Sequence, residues 1–502
     1  SHDSCKKLDT TKKTDIPMNK KIILSLVFAA CAFGNVSVAQ AQVVANFDAP
    51  AMNSQVQPIT EQIIASQLSD PDGANKMFSK LLRSIRNDKE QLVAVGKFFL
   101  DKNIYPCANQ CAKQVYTVDP TYIPGLMLGG HVAMLRKDWG AAGQKFDEVL
   151  NYQPENIEAL RLNARVYKYV NPIVATEALN KILTIDPQYT DAYKQLGDIA
   201  YEGEEYKDAV AAYKSYFEKT PTLAAEHIRP AENYLLSLLN QQDFYTIKDA
   251  VEKFLPLDPK DMIFRRLQFF SQVATMDYQN AQEGIKYITE KQYNDTLYLA
   301  LDYLNAATFY DEGLDNKAEA INYMKKAIDA DPAKPEPYKR LATLYRQNKQ
   351  AIEAIPYFEK YIELKGDKAD AAEKFPLGII YMAAKDQATD PAEKQKYIDA
   401  GDKVFAQYME EQPTKYQGPF YRAQLWITDP TNPEDKPFEY YKQAVSLIDV
   451  KENESQMKNA LRYLIFYTLK KDQNAECRTY IDQLLAIDPA DKFALQVKPL
   501  VS

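Results

Sequence analysis

The sequence predicts an all-α chain made of repeated helical hairpins. Glycine is scarce, at 16 of 502 residues, which disfavours a β protein with many tight turns and favours helices joined by short loops. Prolines follow apolar stretches at a regular interval, and the first four are spaced by 34, 33 and 34 residues: Pro120, Pro154, Pro187 and Pro221. A fixed period of this length is typical of a repeat protein.

An aromatic residue followed shortly by a small one recurs in step with the prolines. Trp139 and Tyr206 are 67 residues apart, close to two periods, and Phe244 and Tyr278 are 34 apart. Small residues let the two helices of one hairpin approach closely, while bulky residues fill the gaps beside them. Proline ends the second helix because it disfavours helix in the residue before it and lacks a backbone donor. Since one hairpin cannot bury its apolar face alone, neighbouring hairpins must stack.

These segments resemble the tetratricopeptide repeat family, whose repeat of 34 residues folds as helix–turn–helix. The fullest match has the family's signature residues at Tyr193, Leu196, Gly197, Ala209, Tyr213, Tyr216 and Pro221. Further matches lie at residues 92–120, 126–154 and 338–361. The resemblance implies an α-solenoid, a right-handed superhelix of such repeats. Tyrosines at the signature positions are expected to be core residues, namely Tyr193, Tyr213, Tyr216, Tyr338, Tyr345 and Tyr361.

The spacing of the repeats, and the places where that spacing is irregular, predict how the chain is divided into segments. We expect about eleven repeats over residues 76–489, with irregular spacing at 366–450 and an inserted loop at Asp386–Pro391. Residues 490–502 are expected to form a helix that caps the last apolar face. Residues 42–75 are expected to contain a linker and an N-terminal helix, since residues 42–58 lack periodicity.

Residues 18–41 have the pattern of a cleaved signal peptide. Met18–Lys21 is basic, Ile22–Phe33 is apolar, and Ala39–Ala41 supplies the small residues that precede a cleavage site. The apolar stretch is shorter than the roughly 20 residues that a membrane-spanning helix needs. We therefore expect export to the periplasm or to the outer membrane. Residues 1–17 would mask this signal and are expected to reflect a start site assigned too early.

The cysteines leave one alternative open. Phe28–Cys31 loosely resembles the lipobox of bacterial lipoproteins, with Phe where Leu is usual, and lipidation at Cys31 would anchor the chain to a membrane.

Only Cys107, Cys111 and Cys477 remain after signal removal, an odd number whose spacing is not that of a disulfide framework. Cys107 and Cys111 share one face of a predicted helix and are expected to be small core residues, with any redox role left open.

Charge and motifs exclude several classes of function. The net charge is −8, and residues 1–41 contribute six Lys against three acidic residues, so the exported chain carries −11. Such an acidic body repels nucleic acid. No phosphate-binding loop, nucleophile elbow or zinc motif occurs, and His131 and His227 have no partner at metal-ligand spacing. We expect no catalytic site, no metal and no cofactor.

In the family, ligands lie in a concave groove lined by one face of the first helices of the repeats. The resemblance places nine residues there as a candidate partner-binding groove: Tyr167, Lys194, Asp198, Tyr201, Asp302, Asn305, Phe309, Lys339 and Arg346. Their mixture of aromatic and charged groups suits an extended peptide or a partner helix. The Lys, Asn and Arg set with which some members clamp acidic chaperone tails is absent. The corresponding places begin with Val93, Lys97, Met127 and His131.

The sequence thus favours a scaffold or adaptor in the bacterial cell envelope that binds other proteins without catalysis. The alternative is a surface lipoprotein that binds glycans or nutrients and is built from the same type of helices. An enzyme with an unrecognised site in residues 366–450 is a third reading. The partner, the process and the oligomeric state are not specified by these patterns.

Overall fold

A computed structural model describes residues 45–290, 293 and 297–501. The expected early leader at 1–17, the signal peptide at 18–41 and Cys31 lie outside the described residues. The chain divides into two compact units between Ser271 and Gln272. Across the described ranges the secondary structure is helical and contains no β-strand, which confirms the all-α prediction.

The helices are short and follow one another closely. The first unit contains α1 (Val56–Ser66), α2 (Pro71–Ser84), α3 (Lys89–Asp101), α4 (Tyr105–Val118), α5 (Ile123–Leu135), α6 (Trp139–Tyr152), α7 (Ile157–Tyr167), α8 (Pro172–Ile185), α9 (Thr190–Glu202), α10 (Tyr206–Glu218), α11 (Ile228–Asn240) and α12 (Phe244–Phe254). The division between the units falls within α13 (Met262–Ala274). The second unit contains α14 (Tyr278–Gly284), α15 (Lys286–Thr289), α16 (Ala300–Thr308), α17 (Lys317–Ala330), α18 (Pro335–Gln347), α19 (Ala351–Lys365), α20 (Ala371–Gln387), α21 (Pro391–Glu411), α22 (Gln417–Trp426), α23 (Asp435–Leu447), α24 (Glu454–Lys470), α25 (Asn474–Ile487) and α26 (Lys492–Val497).

Successive helices form hairpins, in which the first helix is here called A and the second B. In the first unit the A and B helices pair as α3/α4, α5/α6, α7/α8, α9/α10 and α11/α12, and in the second as α16/α17, α18/α19, α20/α21, α22/α23 and α24/α25. Most B helices also contact the A helix of the next hairpin in their unit. Neighbouring hairpins therefore bury one another's apolar faces, as the repeat rhythm predicts.

Glycines lie where A and B helices approach most closely. A Cβ atom on Gly197 would lie 2.7 Å from the ring of Tyr213, and one on Gly130 would lie 2.5 Å from the ring of Phe146. Both aromatic rings are fully buried. The predicted role of Gly197 as a small residue at a close helix contact is confirmed.

The turn between helices A and B uses a residue in the left-handed conformation that is not glycine. Asn103, Lys137, Glu204 and Lys349 each have φ of 59°. Residues with side chains pay a steric cost for this conformation, so the packing of the hairpin must impose it. In the α5/α6 turn the next residue, Asp138, then caps helix B by accepting a hydrogen bond from the Ala141 backbone at 3.1 Å.

The amino-terminal segment differs from the expected linker and single helix. Residues 45–52 belong to no helix or strand and pack against the first hairpins, and two helices, α1 and α2, precede the hairpin α3/α4. The inward side chains Phe47, Ala49 and Met52 are apolar and pack against the hydrophobic core, which is why the segment is held in place.

The irregular region at 366–450 contains longer helices rather than an inserted loop. Asp386 and Gln387 belong to α20, so only residues 388–390 connect it to α21, which has 21 residues. At the carboxyl end, α26 and a 3₁₀ turn at Lys498–Leu500 follow the last hairpin. Ala494 and Val497 are buried against the same core cluster as Cys477, where a capping element was expected.

Candidate partner-binding surface

Four residues that were expected in the groove are buried, so they are no longer candidates for the partner-binding surface. Asp302 is 0% exposed, Phe309 2%, Asn305 6% and Tyr201 8%. Partner contact requires exposed atoms, so the prediction is corrected for these four side chains. Asp302 instead accepts hydrogen bonds from the Leu299 backbone and from the Tyr287 hydroxyl, each at 2.6 Å, and thereby caps α16.

The remaining candidates in the first unit lie on A helices and are tied to neighbouring helices. The Tyr167 hydroxyl donates to Asp147 Oδ2 at 2.7 Å. Lys194 Nζ lies 3.0 Å from Asp198 Oδ2, one turn along α9, and both side chains are partly exposed. The second carboxylate oxygen of Asp198 accepts the Tyr213 hydroxyl at 2.6 Å. This face is polar, and its charges are already paired within the chain.

Asp198 links three helices through a buried hydroxyl. Tyr213 on α10 donates to it, and Asn233 on α11 donates to the Tyr213 oxygen at 3.2 Å. Burial, followed by the charge of Asp198, raises the pKa of Tyr213 far above its ordinary value. The hydroxyl therefore stays protonated and acts as a structural donor.

In the second unit, Lys339 and Arg346 lie on the A helix α18. Arg346 is exposed, and the ammonium group of Lys339 lies 5.2 Å from the centre of the Tyr361 ring. A cation over an aromatic face is held by the ring quadrupole, which fixes the Lys339 side chain near the hairpin. Arg346 is the more accessible of the two groups for a partner.

The tyrosines expected in the core are mostly buried. Tyr213 and Tyr361 are fully buried, and Tyr216, Tyr338 and Tyr345 are nearly so. Only Tyr193 differs, since it is partly exposed and its hydroxyl donates to the carbonyl of Pro187 at 3.2 Å. Several buried tyrosines donate to carboxylates of adjacent helices, so they serve as packing residues and as hydrogen-bond ties.

A second A-helix face, on α3 and α5, is apolar and covered by residues 45–53. The Phe47 ring stacks on the His131 ring with centroids 5.5 Å apart, and Lys97 Nζ lies 5.9 Å from the Phe47 centroid. On α3, Gln91 accepts the Asn53 backbone N–H at 2.9 Å and donates to the Ala51 carbonyl at 3.1 Å. The sequence does not reveal this contact, because the covering segment lies outside the repeat rhythm and is distant along the chain from α5.

The buried His131 ring lies beneath Phe47 on this covered face. It also meets Phe146 edge-to-face, with centroids 5.9 Å apart. Burial, aided by the positive charges of Arg161 and Lys97, lowers the pKa of His131 to about 4. The imidazole is therefore neutral near pH 7 and presents an aromatic surface rather than a charge.

The described residues contain neither a metal-binding cluster nor an exposed thiol. They contain no group of three or more His, Cys, Asp or Glu side chains placed to hold a metal ion. Cys107 and Cys111 are free and buried, as expected of core residues, and Cys477 is free and buried as well. Burial raises the pKa of Cys107 to about 11, so its thiol is a poor nucleophile near neutral pH. None of the described helices has the length and apolar character needed to cross a membrane.

Comparison with known proteins gives one family and several distant relatives. The tetratricopeptide repeat model matches residues 303–334 and 336–368, the hairpins α16/α17 and α18/α19. The chain is 27% identical over 194 residues to "DnaJ homolog subfamily C member 7 homolog" of Dictyostelium discoideum, covering 35% of each chain. It is 21% identical over 294 residues to "Mitochondrial import receptor subunit TOM70" of Homo sapiens, covering 56% of this chain and 47% of the relative. The chain thus spans about half or less of the curated relatives that it matches.

Among solved structures, one similar chain is the C-terminal part of a TPR repeat-containing protein from Cytophaga hutchinsonii. The identity is 18% and the TM-score 0.42, over 53% of this chain and 98% of that one. Neither the family match nor the curated relatives indicate an enzyme family. The matched repeats continue a series of packed helix hairpins, an architecture consistent with protein–protein interaction. Residues 303–334 and 336–368 thus match the tetratricopeptide repeat family.

Proposed function

We propose that this protein is a non-catalytic scaffold or adaptor of the bacterial cell envelope that binds partner proteins through the A-helix faces of its repeats. The observation that carries the proposal is the two series of packed hairpins, α3–α12 in the first unit and α16–α25 in the second, the latter of which includes the two matched repeats. Packed hairpins hold their surfaces in a fixed geometry, and pre-ordering lowers the entropic cost of binding. A relative is itself named a receptor subunit, which agrees with a role in binding proteins.

The envelope location rests on the sequence alone. Residues 18–41 have the basic, apolar and small-residue segments of an export signal, and they lie outside the described residues. Fractionation of cells that make the full chain should place it outside the cytoplasm. Recovery of the unprocessed chain in the cytoplasm would contradict this part of the proposal.

Partner binding can be tested with a photo-crosslinking amino acid at one position per variant. Arg346 lies exposed on the A helix α18, and Glu353 lies exposed on the B helix α19 of the same hairpin. We expect irradiation of intact cells to join the same envelope protein reproducibly to position 346 and not to position 353. Equal crosslinking at both positions, or no reproducible protein at either, would count against binding through the A-helix face.

A further inference from the structure

The turn between α7 and α8 exposes three large apolar side chains within five residues. Tyr169, Val170 and Ile173 are 78%, 76% and 71% exposed. Tyr169 and Val170 are the two residues before the cap of helix B. In other hairpins of the unit the corresponding pairs are polar or contain glycine: Lys102 and Asn103, Arg136 and Lys137, Gly203 and Glu204, and Gln241 and Gln242. Clustered apolar side chains on a surface mark a contact site, whereas single ones do not.

Backbone hydrogen bonds hold this turn in a closed shape. The N–H groups of Val170 and Asn171 both donate to the Tyr167 carbonyl, at 3.0 and 2.7 Å. The Asn171 side chain then accepts the Val174 backbone N–H and caps α8. The apolar side chains therefore project from an ordered backbone, and a partner that covers them needs little reordering of the chain.

The turns of the neighbouring hairpins lie on either side of this patch. Lys168 pairs with Glu202, the last residue of α9, at 2.8 Å, so the α9/α10 turn adjoins the α7/α8 turn. On the other side, a Cβ atom on Gly143 of α6 would lie 3.4 Å from the ring of Tyr167, the last residue of α7. The turns of three successive hairpins thus form a row along one edge of the first unit.

The two outer turns of this row carry opposite charges. The α5/α6 turn exposes Arg136 and Lys137, and its Asp138 is engaged as the cap of α6. The α9/α10 turn exposes Glu204 and Glu205. Lys137 and Glu204 occupy the same left-handed place in their turns, each with φ of 59°. The row therefore runs from basic through apolar to acidic.

We propose that the α7/α8 turn is the centre of a two-fold symmetric contact between two copies of this chain. In such a contact both copies use the same surface, so the row of turns in one copy meets the same row running in the opposite direction. The apolar turns meet at the centre, and Lys137 faces Glu204 of the partner subunit on both sides. The contact uses the hairpin turns and not the A-helix faces, so it goes beyond the proposed function and does not depend on it.

Charge complementarity selects a second copy as the occupant of the patch. An anionic membrane surface would attract Arg136 and Lys137 but repel Glu204 and Glu205. A partner that fits both sides carries the same charges in the reverse order, which a two-fold rotation of this chain supplies. Three apolar side chains are few beside the roughly 20–30 residues that each side of a standard interface contributes, so the dimer is expected to be weak.

Sedimentation velocity of the full chain tests the contact. Between about 1 and 100 μM we expect a reversible change from monomer to dimer, since small interfaces associate in this range. Tyr169→Asp should raise the dissociation constant at least about ten-fold, because each copy then buries a charge at the centre. Tyr152→Asp is the matched control, since Tyr152 is also exposed but ends α6 at the opposite end of the hairpins, and it should dimerise as the unchanged chain does.

Charge reversal tests the orientation of the two copies. Lys137→Glu and Glu204→Lys each place like charges opposite one another and should weaken the dimer roughly three- to ten-fold, with a smaller effect at high salt. The double variant has the two charges exchanged and should regain most of the lost affinity. The four substituted side chains are exposed, so the helical content measured by circular dichroism should not change.

Three results would overturn the proposal. One is a monomer at every concentration, including a monomer that binds phosphatidylglycerol vesicles through Tyr169, which would assign the patch to a membrane. Another is a dimer whose dissociation constant Tyr169→Asp leaves unchanged. The third is a double charge variant that dimerises no better than the two single variants.

Discussion

The A-helix faces of α3 and α5 differ from that of α9 within the same unit. On α3 and α5 the face is built on apolar side chains such as Val93 and Met127, and residues 45–53 cover it. On α9 the face carries Lys194 and Asp198, which pair with each other at 3.0 Å and remain partly exposed. An exposed apolar patch favours association, whereas a paired polar face is stable in water. The difference shows that the same face of the A helices can be covered by another part of the chain or left open to solvent.

The largest expected effect concerns the packing beneath the covered face. A Cβ atom on Gly130 would lie 2.5 Å from the Phe146 ring, whereas one on Gly129 would meet only the flexible Lys145 side chain, at 3.6 Å. We expect Gly130→Ala to lower the free energy of unfolding by about 3 kcal/mol through overpacking. Gly129→Ala should leave it unchanged or raise it by up to ~1 kcal/mol, since alanine favours helix.

Chemical denaturation of the two variants, followed by hydrogen exchange in α5 and α6, measures this difference. Because Phe146 supports the ring of His131, Gly130→Ala should also make residues 45–53 more susceptible to proteolysis. Equal stability of the two alanine variants would show that the A and B helices of this hairpin are not packed as closely as described.

The second-largest expected effect is a loss of stability of the covered face as the pH falls. The pKa of His131 is lowered to about 4 in the folded chain, from an ordinary value of 6.5. The neutral imidazole therefore contributes stability that is fully present above pH 6.5 and is lost as the pH falls through 4. Between pH 7 and pH 5 we expect the stability of α5 to fall by ~2 kcal/mol from this group.

His131→Gln is the control, because glutamine does not titrate in this range. The opening free energy of α5, measured by native-state hydrogen exchange at pH 7 and pH 5, should depend less on pH in the variant. If the unchanged chain and His131→Gln respond alike to acid, His131 is not buried beneath residues 45–53.

A smaller effect is expected on the polar face of α9. Asp198→Ala removes the acceptor of the buried Tyr213 hydroxyl and leaves it only the contact with Asn233. We expect a loss of ~1.5 kcal/mol in the free energy of unfolding. Asp198→Asn keeps an acceptor oxygen and should cost less in the same denaturation experiment. A larger loss in Asp198→Asn than in Asp198→Ala would contradict the assigned hydrogen bond.

The smallest effect is expected at Lys194. Its ion pair with Asp198 is partly exposed and joins two residues one helical turn apart. Lys194→Met keeps the aliphatic length of the side chain and removes the charge. We expect it to change the free energy of unfolding by about 0.3–0.5 kcal/mol, and by less at high salt, where surface charges are screened. A change above ~1 kcal/mol would mean that this face is less solvated than the exposure of its side chains indicates.

The sequence predicts the hairpins because their signals are local and periodic. Gly197 faces Tyr213 as the signature spacing requires. The groove residues were less predictable, because exposure depends on details of each repeat. Phe309 begins a π-helical turn that ends at Gly313, and the wider turn rotates the residues that follow α16. Asp302 serves as a helix cap. In the sequence, a carboxylate in this role looks the same as one that lies exposed on the surface.

The contact of residues 45–53 with α3 and α5 could not be predicted from local patterns. Phe47 and His131 are 84 positions apart, and neither lies in a periodic feature that would pair them. The position of residues 45–52 is specified by the surface against which they pack. Such a contact depends on tertiary packing and becomes visible only in the folded chain.

The most direct measurement places a benzophenone amino acid at position 47 of the full chain. Its aromatic ring can occupy the site of Phe47, and irradiation joins it to whatever lies beside it. We predict crosslinks within the chain to α3 and α5, with Lys97 and His131 among the nearest residues. Crosslinks confined to other helices, or no internal crosslink at all, would contradict the covering of α3 and α5 by residues 45–53.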